Sequence, residues 1–94
     1  NGNVTSNNSI PGHLVLPNGT KFIWVQGNVP GDSSKNFSTS TSMGTVLVAQ
    51  GTYISNIDVT TDGGISVSKV NSTTIRIENS QNNSKFISAF LITT

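Results

Sequence analysis

Ninety-four residues are enough for one domain and too few for two independent cores. Ser, Thr and Asn fill 38 of the 94 positions while charged residues make up only 10%, so the chain's polarity rests on hydroxyls and amides. A net charge of +1, with Lys21, Lys35, Lys69, Arg76 and Lys85 dispersed, excludes the clustered basic face that nucleic acid or anionic lipid would require, and zero cysteines exclude a disulfide-dense scaffold.

Thr favours strands, and Asn, Ser and Gly favour turns, whereas runs of Ala, Leu, Glu and Lys that would build helices are missing. The chain therefore reads as all-β. Residues 1–9 are polar and aperiodic, without the basic and apolar regions of a signal peptide, and read as a linker or the stub of a longer chain; residues 10–94 form the domain. No apolar run approaches the length of a bilayer span, so no membrane insertion is expected.

From Gly12 to Gly27 the pattern is strand, turn, strand. Leu14 and Leu16, then Phe22 and Trp24, are two apart and so share a face within each strand, with Pro17-Asn18-Gly19 as the turn. Asn28 to Asn36 reads as a surface loop marked by Pro30-Gly31, and Ser38 to Ser42 as an edge strand or an ordered loop. Thr45 to Gln50 is apolar enough to be a buried strand, with Val46 and Val48 on one face and Leu47 and Ala49 on the other.

Three alternating pairs follow, Ile57/Val59, Ile65/Val67 and Ile75/Ile77. They predict a meander closed first at Asp62-Gly63-Gly64 and then at Val70 to Thr73. The last segment, Lys85 to Thr93, is apolar on both faces: Phe86, Phe90 and Ile92 alternate with Ile87, Ala89 and Leu91. Such a strand is central in a sandwich or lies at a subunit interface.

The run Gly12-His-Leu-Val-Leu-Pro-Asn-Gly19, the apolar strand carrying Trp24 and ending at Gly27, and the closing KFISAFLIT resemble the C-terminal receptor-binding tip domain of tailed-phage tail fibres and tailspikes. The likeness extends over Ile10 to Thr94, with the first block its most specific part. It implies a β-sandwich on a threefold axis, a virion tail-fibre tip exposed to the medium. The partners implied are two further copies of the chain, as a homotrimer, and a bacterial surface glycan or outer-membrane protein. Trp24, Phe86, Phe90 and Ile92 then read as trimer or core contacts. The alternative within the same family is a C-terminal trimerisation cap that touches no receptor.

Catalytic chemistry has little material: one imidazole, His13, and four carboxylates, Asp32, Asp58, Asp62 and Glu78. A triad needs a base beside a nucleophile, and a glycosidase needs two carboxylates across the scissile bond; Asp58 and Asp62 read instead as turn caps. A polysaccharide depolymerase fragment is the enzymatic alternative, and no catalytic residue, cofactor or metal is assigned. Sugar binding is better supplied. Tyr53, after Gly51-Thr52, offers a ring for stacking, and Asn79, Asn82 and Asn83 lie in an amide-dense segment able to donate to and accept from hydroxyls. The same segment also reads as a plain polar hairpin loop. The Asn-x-Ser/Thr triplets at Asn3, Asn7, Asn18, Asn36, Asn71 and Asn82 follow from composition and are not read as glycosylation sites.

Overall fold

The computed structural model describes residues 4–54, 59–61 and 64–94. The longest strands are built where apolar residues recur every second position, because alternation turns one set of side chains to a common face. The described residues form nine strands: β1 (Thr5–Asn7), β2 (Gly12–Val15), β3 (Lys21–Val29), β4 (Ser33–Ser38), β5 (Val46–Ile54), β6 (Val59–Thr61), β7 (Ile65–Asn71), β8 (Thr74–Asn79) and β9 (Lys85–Thr93). They form two antiparallel sheets, ordered β1-β2-β3-β9-β5-β6 and β4-β8-β7.

The hairpin expected around Pro17-Asn18-Gly19 is present, with Leu14 opposite Phe22 and Gly12 opposite Trp24. Gly19 N donates to Leu16 O and Leu16 N to Thr20 O, which needs a left-handed residue after the turn; Gly19 supplies it at φ 91°. The β7–β8 hairpin also forms, with Asn71 opposite Thr74.

β9 is the axis of the larger sheet, paired along its length with β3 and over seven residues with β5. One face of β3 and β9 packs on the smaller sheet. Ile23, Val25, Val29, Ile87, Ala89 and Leu91 meet Ile75 and Ile77 of β8, and Met43 plugs one end; all nine are at most 4% exposed. Burying each large aliphatic side chain contributes about 1.5–3 kcal/mol, so this layer supplies most of the driving force for folding. At Gly51 the sheets approach closely: a Cβ there would lie 2.7 Å from Ile65 Cγ2.

Thr5–Asn7, inside the segment read as a linker or the stub of a longer chain, pairs with β2 as an edge strand. Several expectations are corrected. The predicted loop from Asn28 to Asn36 holds the end of β3 and the start of β4, which leave in different sheets. The three-strand meander is interrupted: β6 pairs with β5 in the larger sheet, and only β7 and β8 pair with each other. Local alternation identifies strands but cannot say to which sheet a connection leads. The Thr45 to Gln50 segment does enter a strand, yet Leu47 and Val48 are exposed, and a bulge between Val46 and Val48 breaks the alternation, sending these two valines to opposite faces. Ile57, Asp58 and Asp62 lie outside the described residues.

Candidate functional site

Two surfaces stand out, and they differ in chemistry. The first is the outer face of the larger sheet. Because β9 alternates, placing Ile87, Ala89 and Leu91 inward forces Phe86, Ser88, Phe90 and Ile92 outward, and the register continues that face through Phe22 and Trp24 of β3, Leu14 of β2 and Val48 of β5. Among the described residues no element packs across it. Phe86 is 43% exposed, Val48 46% and Phe90 38%, and Phe22 stacks edge-on against Phe90 with centroids 5.9 Å apart. Trp24 is half-buried: its indole Nε1 donates to Ser9 O at 3.0 Å and its ring covers Gly12, where a Cβ would collide with it. Trp24, Phe86, Phe90 and Ile92 are therefore outside the core, which removes that half of the expectation for them.

The second surface is polar and lies at one end of the smaller sheet, where the β3–β4 turn meets the β8–β9 connection. Asp32, Ser33, Ser34, Glu78, Asn79 and Ser80 line an open groove of about 470 Å³. Asp32 holds a left-handed backbone, φ 51°, and its amide donates to Gln81 O at 2.8 Å, which ties the two segments together. The exposed Glu78 accepts from Ser66 Oγ at 3.0 Å. Ser80 donates from both N and Oγ to Gly64 O.

The residues expected to bind ligand divide. Asn79 is 1% exposed and committed to the fold: Nδ2 donates toward Val29 O, Pro30 O and Asn83 O, and Oδ1 accepts from Gln81 N. Its amide is spent on the bend that carries the chain from one sheet to the other, not on solvent, and β8 and β9 do not form a hairpin. Tyr53 lies within β5 opposite Ile87, packed against the core, with Lys85 Nζ 4.7 Å from its ring centroid. Only Asn82 and Asn83 are exposed, close to the groove. His13 Nδ1 shares a hydrogen bond of 2.7 Å with Ser40 Oγ. Among the described residues no three His, Asp or Glu side chains come together as metal ligands.

Nothing local in the sequence groups Asp32, Ser34, Glu78 and Ser80. The available signal is weak: Glu78 alternates with Ile77 and so must face outward, but its nearness to Asp32 depends on the pairing of β4 with β8, whose partners are 36 to 46 positions apart.

The sequence matches no protein-family profile, and no curated protein matches it. Solved structures do match in fold. A C-terminal fragment of the P. aeruginosa R2 pyocin fibre superimposes with a TM-score of 0.80 at 18% identity, over 98% of this chain and 26% of that one. An N-truncated R2-type pyocin tail fibre gives 0.81 at 18% identity, over 98% and 38%. The chain has the fold of a pyocin tail-fibre segment. An N-truncated R1-type pyocin tail fibre aligns less closely, at 0.51 and 14% identity over 96% of this chain and 83% of its own. The chain spans about a quarter to two-fifths of the length of the R2 fibre structures.

Proposed function

We propose that this chain is the receptor-binding tip domain of a fibre on a phage or phage-tail-like particle, a non-enzymatic homotrimer that attaches to the surface of a bacterium. The observation that carries the reading is the pairing of a pyocin-fibre fold with a larger sheet whose outer face is apolar and uncovered. A hydrophobic sheet face left to water forgoes the burial that stabilises sandwiches, about 25 cal/mol for each Å² of apolar surface. Packed on two copies around an axis, Phe22, Phe86, Phe90, Ile92 and Val48 would be covered. A standard interface takes about 800 Å² from each partner, a modest share of the 5227 Å² this chain exposes.

The test is size-exclusion chromatography with light scattering. A species of three times the 9.9 kDa chain mass is expected, and Phe90→Lys should convert it to a folded monomer with an unchanged far-ultraviolet circular dichroism spectrum. A wild-type monomer at tens of micromolar would remove the threefold arrangement and with it the fibre-tip reading. Attachment itself is read by adhesion of the fluorescently labelled trimer to whole bacterial cells, and release of shortened chains from purified capsule or lipopolysaccharide would show an enzyme instead.

A further inference from the structure

We infer that Asn18 is a site of spontaneous self-modification, at which the side-chain amide is lost to the backbone nitrogen of Gly19 and the turn between β2 and β3 ends as a mixture of aspartate and isoaspartate.

The reactants are neighbours in the chain. The Gly19 nitrogen gives its proton to hydroxide and attacks Cγ of Asn18; the new N–C bond closes a succinimide ring as the Cγ–Nδ2 bond breaks and Nδ2 leaves as ammonia. Water then opens the ring. Attack at one carbonyl gives aspartate, and attack at the other gives isoaspartate, in which the main chain runs through Cγ. A side chain on the residue after the asparagine crowds the attacking nitrogen, and glycine has none. Asn18-Gly19 is the one Asn-Gly pair among the described residues.

The turn supplies the alignment. Asn18 Oδ1 accepts from Thr20 N at 3.0 Å, which folds the carboxamide back over the peptide that carries the Gly19 nitrogen. The same bond polarises the carbonyl and donates to the oxygen on which negative charge gathers as the nitrogen adds, the role of an oxyanion-hole amide. Asn18 and Gly19 are exposed, and nothing lies within 4 Å of the position a Gly19 Cβ would take, so hydroxide and water reach the site. One contact opposes the step: Gly19 N donates to Leu16 O at 2.9 Å and must let go before it loses its proton. A hydrogen bond of this kind slows the reaction by about twofold to tenfold, and the Thr20 donor returns a factor of the same order.

The fold contains its own controls. Asn7 accepts from Ser9 N at 3.0 Å and Asn71 from Thr73 N at 2.9 Å, the same fold-back, but Asn8 and Ser72 follow them. Asn79 accepts from Gln81 N, yet it is 1% exposed, precedes Ser80, and holds its Nδ2, the leaving group, against three carbonyls. Each of the three has the folded-back carboxamide and lacks the glycine. The product is distinguishable by charge, because the new carboxylate lowers the formal net charge from +1 to zero at pH 7.

The experiment is incubation of the wild-type protein at neutral and mildly alkaline pH, followed by ion-exchange chromatography and peptide mass mapping, with isoaspartate scored by a protein isoaspartyl methyltransferase. A parallel sample unfolded in guanidinium chloride sets the rate for the unstructured chain. The expected result is conversion at Asn18 with isoaspartate among the products, faster at the higher pH, and within about tenfold of the unfolded rate, since the two turn hydrogen bonds offset each other. Asn7 and Asn71 should stay intact through the first half-life of Asn18. Gly19→Ala, which returns a side chain beside the attacking nitrogen, should stop the charge change over that period. Because alanine is strained at a φ of 91°, Asn18→Gln, whose longer arm closes a ring less readily, gives a second variant that leaves Gly19 in place and should behave alike. An Asn18 that survives in the folded protein while the unfolded one reacts overturns the inference. So does conversion of Asn7 or Asn71 at the same rate, or an acidic form that persists in Asn18→Gln.

Discussion

Asn79 gives the sharpest test of how the two sheets are joined. Its amide lies 3.2 Å from Val29 O, 3.3 Å from Pro30 O and 3.0 Å from Asn83 O, and its Oδ1 accepts from Gln81 N at 2.9 Å. With two amide hydrogens shared among three carbonyls, one side chain satisfies the turn out of β3 and the connection into β9 together. Asn79→Ala removes all of it. Val29 is fully buried, so its carbonyl loses a partner that water cannot readily replace, at about 1–3 kcal/mol, while the more accessible groups cost about 0.5–1.5 kcal/mol in total once water substitutes. A loss near 3 kcal/mol follows, set against about 5–15 kcal/mol for a domain of this size. Each kcal/mol moves the midpoint of a 60–100-residue domain by about 4–8 °C, so Tm should fall by about 12–24 °C. Thermal and urea unfolding by circular dichroism at one fixed protein concentration measures it, since oligomers make Tm concentration-dependent. Asn79→Asp keeps the acceptor for Gln81 N but sets a carboxylate against three carbonyls, and should cost at least as much. Asn82→Ala, at an exposed position, should stay within about 0.5 kcal/mol. An Asn79→Ala protein within about 1 kcal/mol of wild type would refute the bracing role.

Two further outcomes discriminate the faces of the sandwich. Ile77→Ala should cost about 2–5 kcal/mol in urea unfolding because it opens a cavity between the sheets, whereas Phe86→Ala, tested in the monomeric Phe90→Lys background, should cost less than about 1 kcal/mol, the range of sites away from the core. Gly51→Ala places a methyl 2.7 Å from Ile65 Cγ2 and 3.0 Å from Val67 Cγ2; pushing the sheets apart should cost about 1–3 kcal/mol, read by the same unfolding experiment.

The sequence shows the strands more clearly than their arrangement. Alternation at Ile75/Ile77 and through β9, and the Pro-Asn-Gly turn, are local signals with local causes, and each forms as read. Sheet membership is a long-range property: nothing within Val59–Thr61 says that it joins β5 rather than β7, and nothing within Asn79 to Ser84 says that β8 and β9 part into different sheets. The candidate site suffers from the same limit. Asn79 and Tyr53 have the residue types that bind sugars, but Asn79 is consumed by backbone carbonyls 49 and 50 positions away and Tyr53 by Ile87 and Lys85. A polar side chain is available to a ligand only when its own fold leaves it unsatisfied, and that accounting requires the pairing of distant strands.

The distribution of polarity also decides how copies of this chain can meet. Sheets associate through their edges or their faces, and every described edge here is blunted: β1 and β6 are three residues long, β4 is SSKNFS with Lys35 at its centre, and β7 carries Lys69 beside a bulge between Lys69 and Asn71. Short strands, lysines and bulges each discourage an incoming strand from extending the ladder. The outer face of the smaller sheet presents Ser34, Asn36, Ser66, Ser68, Arg76 and Glu78, side chains whose desolvation would oppose burial. That leaves the face of the larger sheet, where Phe22, Phe90, Ile92 and Val48 are grouped by strand register, as the surface on which association gains most from removing water. A chain that associates there turns the other sheet, with its polar groove, away from the contact. Self-association then uses one side of the sandwich only, so a charge placed at Phe90 should dissolve the oligomer while leaving the fold of the polar sheet on the other side unchanged.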